Sequence, residues 1–304
     1  MKTNVSRITL GTAQFGSDYG ISNKLGKPNQ KTIHGVLDFS VKNGINTFDT
    51  AAGYGESEEI LGRFFSTEKN NSMPNITTKV SRINPDKDNF EKIFMKIENS
   101  IKNSKKKLLN CNITNYLLHN PDDMYNENVV KSLVKLKEKQ MVKNIGVSTY
   151  TEKHVQKFLE IPEFDVIEIP FNIFDTKLMN NGFLRELFNE RKIIFARSVF
   201  LQGLFFIKFN DLPSHLKIAE KYLEELHEIS NKFEINIAKL ALTFVKDIEE
   251  IDSLILGVNN VEQIKMNLEI MRSERLNDEI KEIILRKFSK VPDQIINPSK
   301  WKIS

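Results

Sequence analysis

The stretch NTFDTAAGYGESEEILGRFF, residues 46–65, holds one complete structural unit. A short β-branched and aromatic run at 47–49 leads through a Gly-containing loop into an apolar-periodic segment at 57–65. A brief strand followed by an amphipathic helix is one βα unit. The same alternation recurs on both sides along the chain. Strands are predicted at 7–10, 47–49, 76–80, 114–119, 144–147, 166–169, 193–196 and 254–257. Between them the spacing predicts helices at 30–43, 57–65, 90–103, 128–139, 151–159 and 178–189, with apolar residues at three- and four-residue steps, as in Ile93, Ile97 and Ile101. Eight short buried strands alternating with helices imply a parallel sheet, and eight units can close it into a (β/α)8 TIM barrel.

Two features depart from a plain eightfold repeat. A long insert at 200–252 separates the last two strands, with a loop around Pro213 and helical pattern at 215–233 and 238–246. A further helix is predicted at 278–289, before a tail with Pro292, Pro298 and Trp301. No linker divides the chain. The 304 residues fit one barrel of about 250 residues with extra helices, read as a single domain, 1–304.

Composition excludes several classes. No run approaches the roughly 18 apolar residues of a membrane span, and no apolar leader precedes the first strand. A single cysteine, Cys111, excludes an internal disulfide and a cysteine-built metal site, which points to a reducing, cytoplasmic setting without a bound metal. The net charge of +4 comes from mixed acids and bases. Its one dense run, Lys105-Lys106-Lys107, reads as a solvated helix end, so no nucleic-acid or membrane partner is indicated. Oligomeric state is unmarked.

Barrel enzymes place catalysis at the C-terminal ends of strands. There the second strand offers Asp49 with Tyr54 just beyond it, the third Lys79 and the fourth His119. Carbonyl reduction needs a proton donor for the oxygen as hydride reaches carbon. A phenol with an ordinary pKa of about 10 is a poor donor and acceptor at neutral pH. A nearby ammonium favours the phenolate, a buried carboxylate can hold that ammonium, and a neutral histidine can hydrogen-bond the substrate oxygen. Singly, each residue has a plainer reading: Asp49 as a cap, Lys79 as a solvated strand end, His119 as a turn residue, Tyr54 as packing. Jointly, at consecutive strand ends, they are harder to dismiss.

With these residues in view, the chain resembles the aldo-keto reductase superfamily. The resemblance is carried by residues 10–16 (LGTAQFG), 48–51 (FDTA) with Tyr54-Gly55 and Ser57-Glu58, 78–80 (TKV) and 118–121 (LHNP). It continues through 145–148 (IGVS), 197–204 (RSVFLQGL) and 255–257 (ILG), in order along nearly the whole chain. It implies Tyr54 as general acid/base, Asp49 and Lys79 as its tuners, and His119 as the group positioning the carbonyl. Two other readings differ in class: a cofactor-binding barrel with a regulatory role, and an isomerase or aldolase with Lys79 as a Schiff-base lysine.

No strand–GxGxxG–helix fingerprint is present, and the resemblance implies NADPH or NADH extended across the barrel top. Gly11 and Thr12 then lie at the nicotinamide beside Asp49, with Ser148 and Glu168 at its carboxamide and Arg197 against its ring. Glu168 stands where many members have Gln, and an ionised carboxylate accepts hydrogen bonds but cannot donate. Ser198, Phe200, Gln202 and Gly203 fall in a loop over the pyrophosphate. Gly257, Asn259, Gln263 and Asn267 fall at the adenosine end. Val258 and Asn259 replace the Arg that commonly binds a 2′-phosphate, and Glu262 is close by, so NADPH preference is expected to be weak, with Lys265 the available substitute. The substrate is a small carbonyl or alcohol, sugar-derived by resemblance, held by loops at 15–26, 121–125 and 200–213 and by the tail.

Overall fold

The computed structural model of the chain describes residues 5–67, 74–85, 88–109 and 111–301. Its strands are β1 (Ile8–Gly11), β2 (Thr47–Asp49), β3 (Asn75–Lys79), β4 (Ile113–Leu118), β5 (Asn144–Ser148), β6 (Val166–Pro170), β7 (Ile193–Arg197) and β8 (Ser253–Gly257). Each lies within one residue of its predicted bounds. Every neighbouring pair is parallel, and β1 pairs with both β2 and β8, so the sheet closes as an eight-stranded barrel.

The surrounding helices are α1 (Gln30–Lys42), α2 (Ser57–Thr67), α3 (Phe90–Lys107), α4 (Glu127–Glu138), α5 (Glu152–Leu159), α6 (Phe183–Asn189), α7 (Glu220–Lys232), α8 (Ile237–Lys246), α9 (Val261–Arg272) and α10 (Asp278–Lys287). Asparagine starts many of them. Asn29, Asn89, Asn236, Asn260 and Asn277 each accept a hydrogen bond from the backbone N–H three residues on. Such caps satisfy amides that a helix start leaves without partners. Lys105, Lys106 and Lys107 form the last turn of α3, where positive charge suits the helix dipole, and Lys107 pairs with Glu59 at 3.4 Å. None of the described helices is long and apolar enough to cross a membrane.

Two helical expectations need correction. The pattern at 178–189 is not one helix: a short turn, Lys177–Asn180, ends before Gly182, whose φ of 84° breaks the spiral ahead of α6. Conversely, α9 forms where the sequence was read only as a binding stretch. Asn260 caps it, and Ile264, Asn267 and Ile270 are its buried face.

Side chains alternate across each strand, and that alternation builds the site from below. Within the barrel, Leu117, Val166, Ile193 and Phe195 cluster against Val5 and Ile255. Elsewhere in the interior the polar groups satisfy one another. Asn144 Nδ2 donates to Asn115 Oδ1 and Asn115 Nδ2 to Thr77 Oγ1, both at 2.8 Å, while the hydroxyls of Thr9 and Ser253 meet at 2.7 Å. Two residues beyond Thr77, Leu117, Val166 and Phe195 stand Lys79, His119, Glu168 and Arg197.

Gly146 marks the tightest strand contact. A Cβ there would lie 1.7 Å from the Val166 carbonyl oxygen on β6. Gly146→Ala should therefore lower stability by about 1–3 kcal/mol, as overpacking generally does. Equilibrium urea unfolding reads this directly, and an unchanged midpoint would contradict the closeness of β5 and β6.

Candidate active site

Lys79 is the centre of the constellation. Its side chain is 1% exposed, and its Nζ lies 2.5 Å from Asp49 Oδ1, 3.1 Å from the Thr50 carbonyl oxygen and 3.2 Å from Glu168 Oε1. Strands β2, β3 and β6 thus bring two carboxyls to one ammonium. The two carboxyls therefore flank the same Nζ, and Glu168 acts on the Asp49 carboxyl electrostatically. Lys79 Nζ stands 5.4 Å from the centre of the Tyr54 ring. That ring meets His119 edge-on, at 5.5 Å between centroids and 85° between planes.

Tyr54 is carried on the loop after β2, and the loop is braced from beneath and from the side. Thr12 Oγ1 meets Ser57 Oγ at 2.6 Å and donates to the Asp49 carbonyl at 2.8 Å, and Thr50 Oγ1 donates to Ser57 Oγ at 2.9 Å. At the side, backbone touches backbone. A Cβ on Gly16 would lie 1.7 Å from the Tyr54 carbonyl oxygen, and one on Gly55, at φ +51°, would lie 2.3 Å from the Gly16 carbonyl oxygen.

Burial and charge set the proton states. Burial raises the Tyr54 phenol above its ordinary value; Asp49, Tyr19 and Glu168 add to that, and Lys79 only partly opposes it. The ammonium does favour the phenolate, as expected, but burial and the acidic neighbours outweigh it, so the phenol is the favoured form. Burial also pushes His119 down, with Lys79 and Arg197 outweighing Glu168, to about 4, so its imidazole is neutral at physiological pH. For Lys79 the cost of burial is overcome by Asp49, Glu168 and Tyr54, which hold it as an ammonium. Asp49 is driven up by burial and by Glu168. Glu168 resists the same burial through Lys79, its hydrogen bonds and Arg197, and is held low.

Above these groups opens a cavity of ≈ 620 Å³. Its wall includes Gly11, Thr12, Asp49, Tyr54, His119, Ser148, Glu168, Arg197, Ser198, Phe200, Gln202, Gly203, Gly257, Asn259, Gln263 and Asn267, so the sequence-predicted residues share one space with Lys79 just behind it. The segment Pro121–Tyr125 does not line it. That segment is a 3-10 turn with Pro121, Asp123 and Met124 buried. Sequence reading singled out neither Tyr19, Tyr150 nor Gln14, which also form the wall. Tyr150 follows a strand end, the available signal, and the Arg197 guanidinium sits 4.6 Å over its ring. Gln14 closes against Gly257, where a Cβ would come within 2.2 Å of its amide.

The loops after β1 and β7 meet across the cavity. Ile21 N–H donates to the Gln202 carbonyl at 3.0 Å, and a Cβ on Gly203 would lie 1.9 Å from Ser22 Oγ. Ser198, Leu201 and Gln202 all adopt positive φ, a conformation uncommon outside glycine and concentrated at functional loops.

Whether a nicotinamide cofactor suits this wall can be judged from its unmet hydrogen bonds. Among the described residues, Arg197 Nε, Asn259 Oδ1 and Asn267 Oδ1 are buried without hydrogen-bond partners, and all three residues line this cavity. Buried polar groups are ordinarily satisfied. Two acceptors and one donor on one cavity wall fit a ligand bearing amide, amine and hydroxyl groups. Gln263 Oε1 already accepts from the Asn259 N–H at 2.7 Å. Lys265 Nζ lies 5.5 Å over the Phe39 ring and is not part of the wall.

Comparison with known proteins gives a consistent result. A model of the Aldo/keto reductase family matches residues 7–284. D-arabinose 1-dehydrogenase of Saccharomyces cerevisiae is 24% identical over 300 residues, covering 89% of this chain and 85% of that protein. Aldo-keto reductase YhdN of Bacillus subtilis is 28% identical over 178 residues, or 57% of this chain and 52% of that one. Among solved structures, aldo-keto reductase AKR11C1 of Bacillus halodurans in its holo form superposes with a TM-score of 0.73 at 18% identity, covering 93% and 92% of the two chains. The glycerol dehydrogenase AKR11B4 of Gluconobacter oxydans gives 0.71 at 20% identity, with 98% and 95% covered.

Proposed function

Because this chain belongs to the aldo/keto reductase family, we propose that Tyr54 exchanges the proton of its reaction, supported by Asp49, Lys79 and His119. The chain is an NAD(P)-dependent oxidoreductase that interconverts carbonyl compounds and alcohols. The bound cofactor supplies or accepts the hydride. In the reducing direction, Tyr54 as a phenol gives its proton to the substrate oxygen. The Lys79 ammonium then stabilises the phenolate left behind. His119, neutral, donates a hydrogen bond to the same oxygen and aligns it. The observation that carries this reading is the meeting of Tyr54 and His119 at one cavity wall with Lys79 just behind them, burial favouring the phenol and the uncharged imidazole.

In this reading Gly11, Thr12, Ser148, Glu168 and Arg197 hold the nicotinamide end of the cofactor. Ser198, Phe200, Gln202 and Gly203 cover its middle, and Gly257, Asn259, Gln263 and Asn267 take the adenosine. The substrate is a hydroxylated, sugar-like aldehyde or ketone. Support comes from the polar wall and from two relatives named for arabinose and glycerol. Monitoring NADH and NADPH oxidation with a panel of hydroxylated aldehydes and ketones tests it. Turnover should appear on that panel, and a protein inert toward every carbonyl would defeat the proposal.

Cofactor preference follows from the adenosine end. Asn259 Oδ1 awaits a donor, which a ribose hydroxyl can supply and a phosphate dianion cannot. Arg197 is the single Lys or Arg among the described residues of the wall, and it faces the other end of the proposed cofactor track. NADH should therefore bind at least as tightly as NADPH. A charge-assisted hydrogen bond contributes about 1.5–3 kcal/mol, so Asn259→Arg should tighten NADPH about tenfold or more and leave NADH nearly unchanged. Fluorescence titration with both cofactors measures this. A wild type binding NADPH a hundredfold tighter would mean that another cation holds the phosphate.

A further inference from the structure

Three side chains from three strands form a closed charge group in which Glu168 has no part in the proton transfer described above. Asp49 Oδ1 is 2.5 Å and Glu168 Oε1 3.2 Å from Lys79 Nζ, and neither Lys79 nor Glu168 is more than 1% exposed. Both carboxyls thus converge on one ammonium, and two ionised carboxylates held that close repel each other. Full ionisation of both would set two negative charges against the single ammonium that touches them, which is costly in a buried site. One proton between them removes that cost, because a protonated carboxyl can donate to an ionised one.

We propose that Asp49 and Glu168 share a single proton across the Lys79 ammonium, so that the three form one neutral cluster and Glu168 acts as a positioning residue for the Tyr54 hydroxyl. The sign of its influence follows from charge. A carboxyl pair carrying one negative charge sits behind Lys79 and offsets the ammonium that would otherwise draw the proton from Tyr54. The site is thereby biased toward the proton-bearing phenol, the form needed to reduce a carbonyl. The other charged or titratable groups facing the pair are Arg197 from β7, His119 from the end of β4 and Tyr19 from the loop after β1. Arg197 adds to the hold on Glu168, His119 is neutral, and burial keeps Tyr19 protonated. None of them can supply the missing proton at neutral pH. The two carboxyls therefore titrate as a unit.

The role assigned to Tyr54 rests on the functional reading above, but the shared proton does not, and the test separates them. Infrared difference spectroscopy on the cofactor-free protein reads the carbonyl stretch of a protonated carboxyl. The measurement is made at about pH 8, above the ordinary carboxylic range. Asp175, the other buried acid raised by burial, to about 6, is ionised there. The wild type should show the band, and both Glu168→Gln and Asp49→Asn should lose it, because either change removes the need to share. A folded wild type without the band overturns the proposal whatever its activity. A band that survives in Glu168→Gln assigns the proton to Asp49 alone and overturns the sharing.

Kinetics supply the second arm. A shared proton leaves one negative charge beside Lys79 in Glu168→Gln as in the wild type, so the pH profile of alcohol oxidation should move by less than about half a unit. The double variant Asp49→Asn/Glu168→Gln, which removes that charge, should move the profile downward by about one unit. A downward shift in Glu168→Gln alone means that both carboxyls were ionised and overturns the sharing, and an unmoved profile in the double variant removes the pair from any influence on Tyr54.

Discussion

Tyr54→Phe is expected to lower kcat by about 10²–10⁴-fold, the usual contribution of a positioned general acid. The substitution deletes one oxygen and keeps the ring. The edge-on contact with His119 and the bracing by Gly16 and Gly55 all involve the ring or the backbone, so the fold and the cavity should persist. Cofactor Kd should accordingly stay close to that of the wild type. Steady-state rates and fluorescence titration on the same preparation separate these effects. More than half of the wild-type kcat in the variant would remove the hydroxyl from the chemistry.

Lys79→Met should lower the rate by about 10²–10³-fold, as loss of one preorganised electrostatic group does elsewhere. It should also shift the oxidation profile upward, because burial, Asp49 and Glu168 raise Tyr54 and Lys79 alone among its neighbours here strongly opposes them. The direction is opposite to that expected of Asp49→Asn/Glu168→Gln, so the two variants check each other. Stability should fall too. Removing one partner of a buried ion pair typically costs about 3–5 kcal/mol, and Asp49 and Glu168 would be left facing without a cation.

The pH dependence of that loss has a definite sign. In the wild type the raised Lys79 contributes stability that is whole below the unfolded lysine value of about 10.4 and disappears as pH rises through the folded value. In the variant the carboxyls bind protons more tightly than in the unfolded chain. Its stability should then fall as pH rises from the ordinary carboxylate range of about 4. Urea midpoints across pH measure this. An unaltered profile with an intact rate would give Lys79 a structural role only.

Much of this was legible in the sequence because strand geometry is regular. A residue's place in a short strand fixes both its face and its height in the barrel. Asp49, Lys79 and His119 were therefore identifiable from where apolar runs end, whereas Glu168 and Arg197 were singled out by the family resemblance. The Asn-led helix starts follow from equally local chemistry. What stayed hidden depends on distant contacts. Asp49 and Glu168 lie on β2 and β6, and only closure brings their carboxyls together. The state of Tyr54 is a balance of burial against several charges, and reasoning about Lys79 alone has the right sign for that pair but leaves out the larger effect of burial. Tyr19 and Tyr150 reach the cavity from loops, whose paths carry no periodicity. The helix break at Gly182 turns on one left-handed residue inside an otherwise continuous pattern.

The backbone contact between Gly16 and Gly55 also bears on how this protein can diversify. Neither position can gain a side chain while the other loop stays put, because each added carbon would overlap a carbonyl oxygen opposite. The two sites are a single heritable unit, and a deep mutational scan should find both intolerant even to alanine. Beyond Gly16, the same loop runs through exposed residues such as Ser17, Asp18 and Leu25. There, apart from Ile21 and Ser22, which meet Gln202 and Gly203 across the cavity, side chains can change at little cost to the fold. Composition can drift in that outer stretch while the Tyr54 backbone stays anchored at its base.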